Sequence, residues 1–507
     1  MSDTQWKANL DGQNPGSTAA GIQKLVNKEF IAKDVRFVIQ VGDNVDVEND
    51  TYNNQPTVRT LPFKAEAAAP LYDAGIGFFT LRGNHEASAT AARELPVLFP
   101  QQTGMGGVLA GATNFSFPSE LLKGLSYSFD NKNLRVIMLD QFTRPDGSGS
   151  TNTNIVDQLD WIEDRVINRP AGMHCLVFAH KNLIGQNHVD TLFGSNPGQN
   201  LEAYNRFISI MDRGNVPLVI GGHDHVHHRS LITSPDGKSE VEQLIAGSDS
   251  YKFYVPRRPA NADTYAAGPD ETVISQELWT VTHYIVTVDG PRLWIDFYSM
   301  STGQDYANVS LKTTPPETGW FWREQWGYSL NGADFLIGQG ESYTSVQDSF
   351  RGTTAAILAG TNKSTKADYA GRPMSKRVVT GWEAAGQGDD SARLYLFGMA
   401  DNLQLNDPAL EGLWPNADET DESDVFVLQM SGTPRGFRAN GDYGLATRTE
   451  DGRWVHAVDG NFGGRATFVK GAWRPGYELG TYGVDPVTKN AWAVINHGGV
   501  FAVRRGI

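Results

Sequence analysis

The chain has 507 residues with 58 Asp and Glu against 43 Lys and Arg, a formal net charge of −15, and one cysteine. This length suffices for about two or three domains, and the acidic balance argues against a protein that coats nucleic acid or anionic membranes, because phosphate groups attract positive charge. The single Cys175 excludes a disulfide framework and a cysteine-based zinc site, and no apolar run approaches the roughly 20 residues of a membrane span.

The first 300 residues alternate between helical and strand-like patterns. Apolar residues at helical spacing predict a helix over 17–30. Buried strands are predicted at 35–41, 76–81, 134–139, 175–178 and 217–220, and further helices at 63–73, 158–162 and 201–211. This alternation is typical of a layered α/β domain.

Past residue 310 the pattern changes to short apolar runs separated by Gly, Asn and Asp. The runs lie at 354–359, 393–397, 424–430, 454–458, 491–496 and 500–503. They predict an all-β region, a sandwich rather than a barrel, with a few degenerate propeller blades as the alternative. We therefore expect a first domain over 1–305, a linker over 306–320 and a β-rich accessory domain over 321–507.

Polar side chains follow four of the predicted strands. Asp43 comes after strand 35–41 and Asn84 after strand 76–81. His180 follows strand 175–178, and His223 and His225 follow strand 217–220. Because the carboxyl ends of strands line the ligand crevice of α/β sheets, we expect these side chains to form one site.

The chemistry of these residue types indicates metal binding. Carboxylate, amide oxygen and imidazole together suit Zn, Fe, Mn and Co better than an all-oxygen calcium site. His223 and His225, two positions apart in a loop, can address two neighbouring ions. The two oxygens of Asp43 can bridge such ions at the roughly 3.5–4 Å separation of two-metal hydrolases.

Five motifs in order carry a family resemblance over about residues 1–300. They are D-T-Q at 3–5, G-D-N-V-D at 42–46, G-N-H-E at 83–86, a lone His180, and G-H-D-H at 222–225. The set resembles the calcineurin-like metallophosphoesterases, and the sequence around 127–161 is similar to that of secreted members of the family. The resemblance implies a four-layer αββα sandwich with a dinuclear metal centre, followed here by the C-terminal all-β domain.

The resemblance also implies a role for each site residue. One metal would be held by Asp3, Gln5, Asp43 and His225, and the other by Asp43, Asn84, His180 and His223. The ions would be Mn, Fe, Zn, Co or Mg, and a hydroxide held between them would attack phosphorus. His85 would contact the phosphate and protonate the leaving oxygen, with Glu86 orienting its ring.

Three departures from the family pattern matter. Gln5 stands where most members have histidine, which predicts a weaker first metal site or a preference for Mn or Mg. Asp46 stands where purple acid phosphatases carry tyrosine, which argues against a purple enzyme. Only Met1 and Ser2 precede Asp3, so either a core strand is missing from the N-terminus or Asp3 lies on a frayed end.

Several other polar residues have weaker signals. Arg82, at the rim of the expected site, and the pair Arg257 and Arg258 are candidate substrate contacts, with a solvated surface position as the alternative. Outside the motifs, His227 and His228 are expected to extend the loop after His225, and five histidines are expected to be structural: His174, His188, His283, His456 and His497.

The expected function is hydrolysis of phosphoric esters, as a phosphomonoesterase or a phosphodiesterase. One alternative is a nucleotide pyrophosphatase that cleaves phosphoanhydrides, and another is a non-catalytic binding or adhesion protein built on this fold. The substrate would be a phosphorylated small molecule or a nucleotide-type compound. The resemblance to secreted members predicts a periplasmic or extracellular location, with the leader absent from this chain and a cytoplasmic location as the alternative.

Overall fold

In a computed structural model of the protein, the described residues are 1–6, 18–52, 55–150, 155–250, 252–256, 268–301, 320–364, 366–399, 424–432 and 440–507. Their α-helices are α1 (Thr18–Ala32), α2 (Leu61–Asp73), α3 (Ala89–Leu98), α4 (Leu159–Ile167) and α5 (Leu201–Arg213). Short 3₁₀ helices span Asn84–Glu86, Pro100–Thr103, Glu120–Leu122, Val156–Gln158, Tyr343–Ser345 and Ala457–Gly460. Within these residues, no helix combines the length and apolar character needed to cross a bilayer.

The strands, in chain order, are β1 (Phe37–Gln40), β2 (Asn49–Tyr52), β3 (Gln55–Arg59), β4 (Gly77–Thr80), β5 (Thr113–Ser116), β6 (Tyr127–Asn131), β7 (Leu134–Leu139), β8 (His174–Ala179), β9 (Leu218–Gly221), β10 (His227–Thr233), β11 (Glu240–Ile245), β12 (Asp270–Glu277), β13 (Thr280–Asp289), β14 (Arg292–Ser301), β15 (Phe321–Ser329), β16 (Asp334–Ile337), β17 (Gln347–Phe350), β18 (Thr353–Ala359), β19 (Lys376–Glu383), β20 (Arg393–Phe397), β21 (Phe426–Ser431), β22 (Tyr443–Arg448), β23 (Trp454–His456), β24 (Thr467–Lys470), β25 (Thr481–Val484), β26 (Asn490–Ile495) and β27 (Gly499–Arg505). Those up to residue 301 include all five strands predicted for the first region.

The N-terminal segment lies beside a parallel strand pair. β1 pairs with β4, and the backbone N–H of Val41 donates to the carbonyl of Met1 at 3.0 Å. Residues 1–6 are all buried, and Asp3 has no exposed surface. Asp3 therefore does not lie on a frayed end, which was one of the two expectations for this segment.

An eight-stranded sheet provides most of the first region. Its order is β12-β10-β11-β9-β8-β7-β6-β5, and β7, β8, β9 and β11 run parallel to their neighbours in this series. Helices α4 and α5 cover one face through a cluster that includes Ile162 and Phe207. A second cluster, with Phe79, Phe129 and Phe297, joins the other face to β4 and β14. These mixed sheets agree with the α/β class expected from the sequence, while the four-layer αββα arrangement as a whole stays a prediction.

Strand β15 belongs to the first region. It pairs antiparallel with β14, which also pairs with β13, and Trp326 lies opposite Ile295. Trp326 and Tyr328 are buried in the same cluster as Ile295. The pairing differs from the expected domain boundary at residue 321, because these aromatic side chains complete the core of the first region. Residues 306–319 of the expected linker lie outside the described residues.

The strands after residue 330 form two six-stranded sheets. Their orders are β16-β19-β20-β27-β22-β23 and β17-β18-β21-β26-β25-β24. Leu394 and Phe501 from the first sheet share one apolar cluster with Leu428 and Ala493 from the second. The six predicted apolar runs coincide with β18, β20, β21, β23, β26 and β27. The sandwich assignment for the complete C-terminal region stays a prediction.

Candidate metal centre

Two parallel strand pairs, β1 with β4 and β8 with β9, deliver the candidate ligands to one place. Asp43 follows β1, Asn84 follows β4, His180 follows β8, and the loop after β9 carries His223 and His225. The local reason is that a polar or glycine-containing loop follows each strand, and the carboxyl ends of parallel strands within a pair lie side by side.

Two groups of ligand-type atoms overlap at Asp43. One group is Asp43, His180 and His223, and the other is Asp3, Asp43 and His225; in each, the ligand atoms lie within 4.8 Å of one another. All five side chains are buried. A shared carboxylate between two such groups is the arrangement that a bridging ligand of a dinuclear centre requires.

The group around His180 includes the expected amide ligand. Nε2 of His180 lies 3.3 Å from Oδ1 of Asp43 and 3.0 Å from Oδ1 of Asn84. Nδ1 of His180 lies 3.0 Å from the carbonyl oxygen of Val41, which accepts from it in the tautomer that leaves Nε2 as a ligand. Asn84 itself is exposed, so this group opens to solvent on the amide side.

The group around Asp3 has the corresponding arrangement. Nε2 of His225 lies 3.5 Å from Oδ1 of Asp3, and Nδ1 faces the carbonyl oxygen of Lys252 at 3.0 Å. The backbone N–H of His223 donates to both carboxylate oxygens of Asp3, at 3.1 and 3.0 Å. The structure thus brings the D-T-Q motif against the G-H-D-H motif, although 220 positions separate Asp3 from His223.

The donor set fits metal ions. Nε2 of Gln5 donates to Oδ2 of Asp43 at 3.2 Å, whereas Oε1 of Gln5 is buried without a hydrogen-bond partner. Burial and then the Asp43 carboxylate raise the pKa of Asp3 well above its usual range. A lone amide oxygen beside two buried carboxylates is unfavourable unless a cation is present. The two groups together could therefore hold two ions.

Burial also keeps the imidazoles in the ligand form. It lowers the pKa of His180 to about 4 and that of His225 to about 3. Burial of Asp43 opposes ionisation, but the imidazoles of His180 and His85 outweigh it and lower the pKa of Asp43. At neutral pH His180 and His225 are consequently neutral imidazoles and the shared Asp43 carboxylate is ionised, as metal binding requires.

Two glycines of the motifs are needed for close approach. A Cβ at Gly83 would lie 1.9 Å from Oδ1 of Asp43. A Cβ at Gly222 would lie 2.0 Å from Oγ of Ser2 and 2.5 Å from Oδ2 of Asp3. Any side chain at either glycine would displace a candidate ligand or its support.

Five candidate ligands have left-handed backbone conformations. The φ angles are 50° at Asp3, 39° at Gln5, 47° at Asp43, 74° at His223 and 54° at His225. Such conformations cost on the order of 1 kcal/mol each and occur where tertiary contacts enforce them, often at functional sites. The surrounding fold therefore aims these side chains against local backbone preference.

His85 and Glu86 differ from expectation in their partners. Nδ1 of His85 faces the carbonyl oxygen of Asp46, and its side chain is 24% exposed. The carboxylate of Glu86 instead accepts from the backbone N–H groups of Val45, at 2.8 Å, and Gly83, at 2.9 Å. Glu86 therefore connects the loops of two motifs. The ring of His85 is oriented by the carbonyl oxygen of Asp46 and not, as expected, by Glu86.

Of the three arginines expected as substrate contacts, Arg82 is described, and it is engaged away from the site. Arg82 is fully buried and bidentate on Asp140, with both nitrogen–oxygen distances at 2.7 Å. It also donates to the carbonyl oxygens of Ser88 and Thr143. The expectation that Arg82 contacts substrate is therefore wrong. Its guanidinium is bonded to the Asp140 carboxylate and to backbone carbonyl oxygens, which is a structural role. Arg257 and Arg258 lie outside the described residues.

Two residues beside the site were not predicted. His188, expected to be structural, stacks on His223 with ring centroids 4.0 Å apart, and its Nδ1 lies 2.8 Å from Oδ1 of Asp224. Oδ1 of Asp190 lies 3.3 Å from Nε2 of His223. The sequence signal for His188 and Asp190 was their position in the polar loop that follows His180. Polar residues are common in loops, so this position alone did not indicate a role.

Comparison with solved structures gives distant similarity. Purple acid phosphatase PPD1 from yellow lupin (Lupinus luteus) seeds is 14% identical with a TM-score of 0.35, over 62% of this chain and 52%, or about half, of that one. GAP50, the anchor in the inner membrane complex of Plasmodium, is 12% identical with a TM-score of 0.31, over 62% of this chain and 86% of that one. The protein TT1561 of Thermus thermophilus is 10% identical with a TM-score of 0.26, over 54% of this chain and 96% of that one.

The family assignment comes from the sequence of the first region. No curated protein sequence matches the chain. Residues 1–227 match the family model of the calcineurin-like phosphoesterases, whose members use a dinuclear metal centre. This range contains every candidate metal ligand described above. Over residues 1–227 the chain is therefore similar in sequence to the calcineurin-like phosphoesterases.

Proposed function

We propose that this protein is a metal-dependent hydrolase of phosphoric esters. The observation that carries the proposal is the pair of buried ligand groups that share Asp43. One ion would be held by Asp3, Gln5, Asp43 and His225, and the other by Asp43, Asn84, His180 and His223. The proposal covers monoesters and diesters, since both present the phosphoryl oxygen that such a centre polarises.

Two bound cations would supply a nucleophile at neutral pH and stabilise charge on the phosphoryl oxygens. The side chains do the positioning. Val41 and Lys252 hold the rings of His180 and His225 through their carbonyl oxygens, which fixes the direction of each Nε2. Gln5 donates to Asp43 and leaves its own oxygen available as a ligand.

His85 is the proposed proton donor to the leaving oxygen. Its Nε2 lies 3.7 Å from Oδ2 of Asp43, next to the shared carboxylate, and a quarter of its side chain is open to solvent. The carbonyl oxygen of Asp46 holds Nδ1, so Nε2 is the nitrogen directed toward the site. A group at the edge of the ligand cluster, fixed in direction and exposed to substrate, suits general acid catalysis.

Two alternative functions remain under this proposal. The same ligand set would also suit phosphoanhydride hydrolysis of a nucleotide-type substrate, because that reaction too occurs at phosphorus. A non-catalytic binding protein would not need a neutral-imidazole ligand set with an unpartnered amide oxygen.

The first experiment is reconstitution of metal-stripped protein with Mn, Zn, Co, Fe or Mg, with bound metal measured for each. Turnover is then compared on p-nitrophenyl phosphate, bis-p-nitrophenyl phosphate and a nucleoside diphosphate. We expect about two ions per chain and chelator-sensitive hydrolysis of at least one ester. Protein that binds no metal and hydrolyses none of these substrates would overturn the proposal, and hydrolysis of the anhydride alone would replace it.

The matched variants are Asp43→Asn and Asp73→Asn. Asp43→Asn should lower kcat/KM by at least about 1000-fold and reduce bound metal, because both ions lose a ligand. Asp73 is exposed at the end of α2, so the same chemical change there should leave both measurements unaltered. Wild-type turnover in Asp43→Asn would contradict a bridging role.

A further inference from the structure

One arginine of the C-terminal region reaches the first region next to the metal centre. Nη1 of Arg372 donates to Oε2 of Glu271 at 2.6 Å, and Nη2 donates to Oε1 of Gln186 at 2.9 Å. Nε2 of Gln186 in turn donates to Oε1 of Glu271 at 3.0 Å. Arg372, Glu271 and Gln186 thus form a closed triangle that joins the two regions.

Gln186 belongs to the loop that follows His180. Its backbone N–H donates to Oδ2 of Asp224 at 2.5 Å, and the backbone N–H of His188 donates to Oδ1 of Asp224 at 2.9 Å. The ring of His188 also faces that carboxylate and stacks on His223, with 29° between the ring planes. A continuous series of contacts therefore runs from Arg372 to a candidate metal ligand.

We propose that Arg372 is a positioning residue of the metal centre: through Gln186 it holds the 186–188 loop so that the ring of His188 stays stacked on His223. This inference rests on the proposed function where it concerns catalysis. It assigns to the C-terminal region a part in the site, in addition to packing.

The charges and burial favour such a role. The side chain of Glu271 is fully buried, and that of Arg372 is 29% exposed. Asp368 also accepts from Nε of Arg372 at 2.6 Å, so a third acceptor fixes the orientation of the guanidinium. A guanidinium presents donors in a rigid fork, so it can bind a carboxylate and an amide in one fixed geometry that an ammonium cannot reproduce.

A second arginine provides a matched control. Arg377 donates from Nη1 to Oε2 of Glu242 at 2.9 Å and from Nη2 to Oδ2 of Asp334 at 2.6 Å. It therefore also joins the C-terminal region to the first region, at β11. Neither of these ion-pair partners, both among the described residues, lies in the 182–190 loop. Loss of Arg377 should weaken the contact between the regions without releasing Gln186.

The test compares Arg372→Ala with Arg377→Ala in the full-length protein. The first measurement is hydrogen exchange of the amides of Gln186 and His188, which needs no activity. We expect about tenfold faster exchange in Arg372→Ala and wild-type exchange in Arg377→Ala. Equal exchange in the two variants, whether fast or slow, would overturn the positioning role.

The second measurement is the kinetic effect on an ester substrate with saturating metal. We expect Arg372→Ala to lower kcat/KM about fivefold to tenfold, and Arg377→Ala to leave kcat and KM unaltered. In a Gln186→Ala background, Arg372→Ala should have no further kinetic effect, because both act through the same contact. Independent, additive effects of the two substitutions would overturn the proposed route.

Two further outcomes keep the proposals separate. If wild-type protein hydrolyses no ester but the exchange difference is found, the proposed function fails and the positioning role stands. If hydrolysis is found and exchange is the same in both variants, the proposed function stands and the positioning role fails. Should Arg372→Ala not fold, Arg372→Lys provides the same comparison, because lysine keeps the charge and loses the fork.

Discussion

The amide nitrogen Nε2 of Gln5 lies 3.3 Å from Nε2 of His85. The same amide nitrogen donates to Asp43, so Gln5 contacts both the shared carboxylate and the proposed proton donor. A substitution at Gln5 is therefore expected to change two properties at once: the affinity of the first metal site and the surroundings of the His85 ring.

Gln5→His should strengthen the first metal site. An imidazole nitrogen is a better donor than a neutral amide oxygen for borderline cations, so we expect about tenfold tighter binding of Zn or Co at the Asp3 group. Titration of metal-stripped protein with Co, followed by its visible absorption, measures this directly. Gln5→Ala is the companion variant and should bind the first ion more weakly than wild type. Unchanged affinity in both variants would remove Gln5 from the ligand set.

His85→Ala should reduce turnover most for esters with poor leaving groups. A general acid typically contributes about 100- to 10,000-fold, and its contribution falls when the leaving oxygen needs no proton. We therefore expect a loss of at least about 100-fold for an alkyl phosphate and a smaller loss for p-nitrophenyl phosphate. The measurement is kcat/KM across a leaving-group series, with bound metal checked in each preparation. Equal losses across the series would assign His85 to phosphate binding instead.

Asp3→Asn should stabilise the metal-free protein and weaken metal binding. Burial and the Asp43 carboxylate raise the pKa of Asp3, so the folded state binds more protons than the unfolded state above the usual carboxyl pKa. The ionised form of Asp3 is consequently unfavourable in the folded protein as pH rises, and asparagine removes that penalty, so the variant should unfold at a higher urea concentration at neutral pH. Urea unfolding with chelator present tests the gain. With metal added, the variant should instead be the less stable protein, and a variant less stable in both conditions would contradict the expectation.

Lys64→Met should change how stability depends on pH. Nζ of buried Lys64 donates to Oγ1 of Thr4 at 2.9 Å, and burial lowers the pKa of Lys64 from 10.5 to about 7. Between these values the unfolded chain binds more protons, so wild-type stability rises with pH through this window. Methionine does not titrate. The difference in free energy of unfolding between Lys64→Met and wild type should therefore favour the variant most below pH 7, and it should shrink by on the order of 5 kcal/mol toward pH 10.5.

Urea unfolding of metal-free protein near the two ends of that window measures the effect. The control is Lys24→Met, because Lys24 is exposed and the same chemical change there removes no buried ammonium. A constant difference between Lys64→Met and wild type across the window would show that the Lys64 ammonium is not destabilised by burial.

The main elements of the first region could be predicted because each is encoded over a short stretch. The helix predicted over 63–73 is α2, Leu61–Asp73, and the strand predicted over 134–139 is β7 with the same ends. Apolar periodicity and glycine punctuation act within a few residues, so they are visible in the chain itself. The pairing of β15 with β14 was not visible, because Trp326 meets Ile295 only after a long connection has closed.

The candidate ligands follow the same division. Asp43, Asn84, His180, His223 and His225 could be named from the sequence, because each directly follows a strand and parallel strands end at a common edge. The partners of Glu86 and Arg82 could not, since a buried carboxylate or guanidinium takes whichever groups the fold brings to it.

The sequence by itself thus determined which family residues 1–227 resemble, the positions of five strands and the residue types of the metal centre, because these depend on local pattern. Only the tertiary structure decided the left-handed backbone at Asp3 and His225, the stacking of His188 on His223 and the contact of Arg372 with the neighbouring loop. Those features arise between segments far apart in the chain, where neither periodicity nor spacing specifies which side chains will meet.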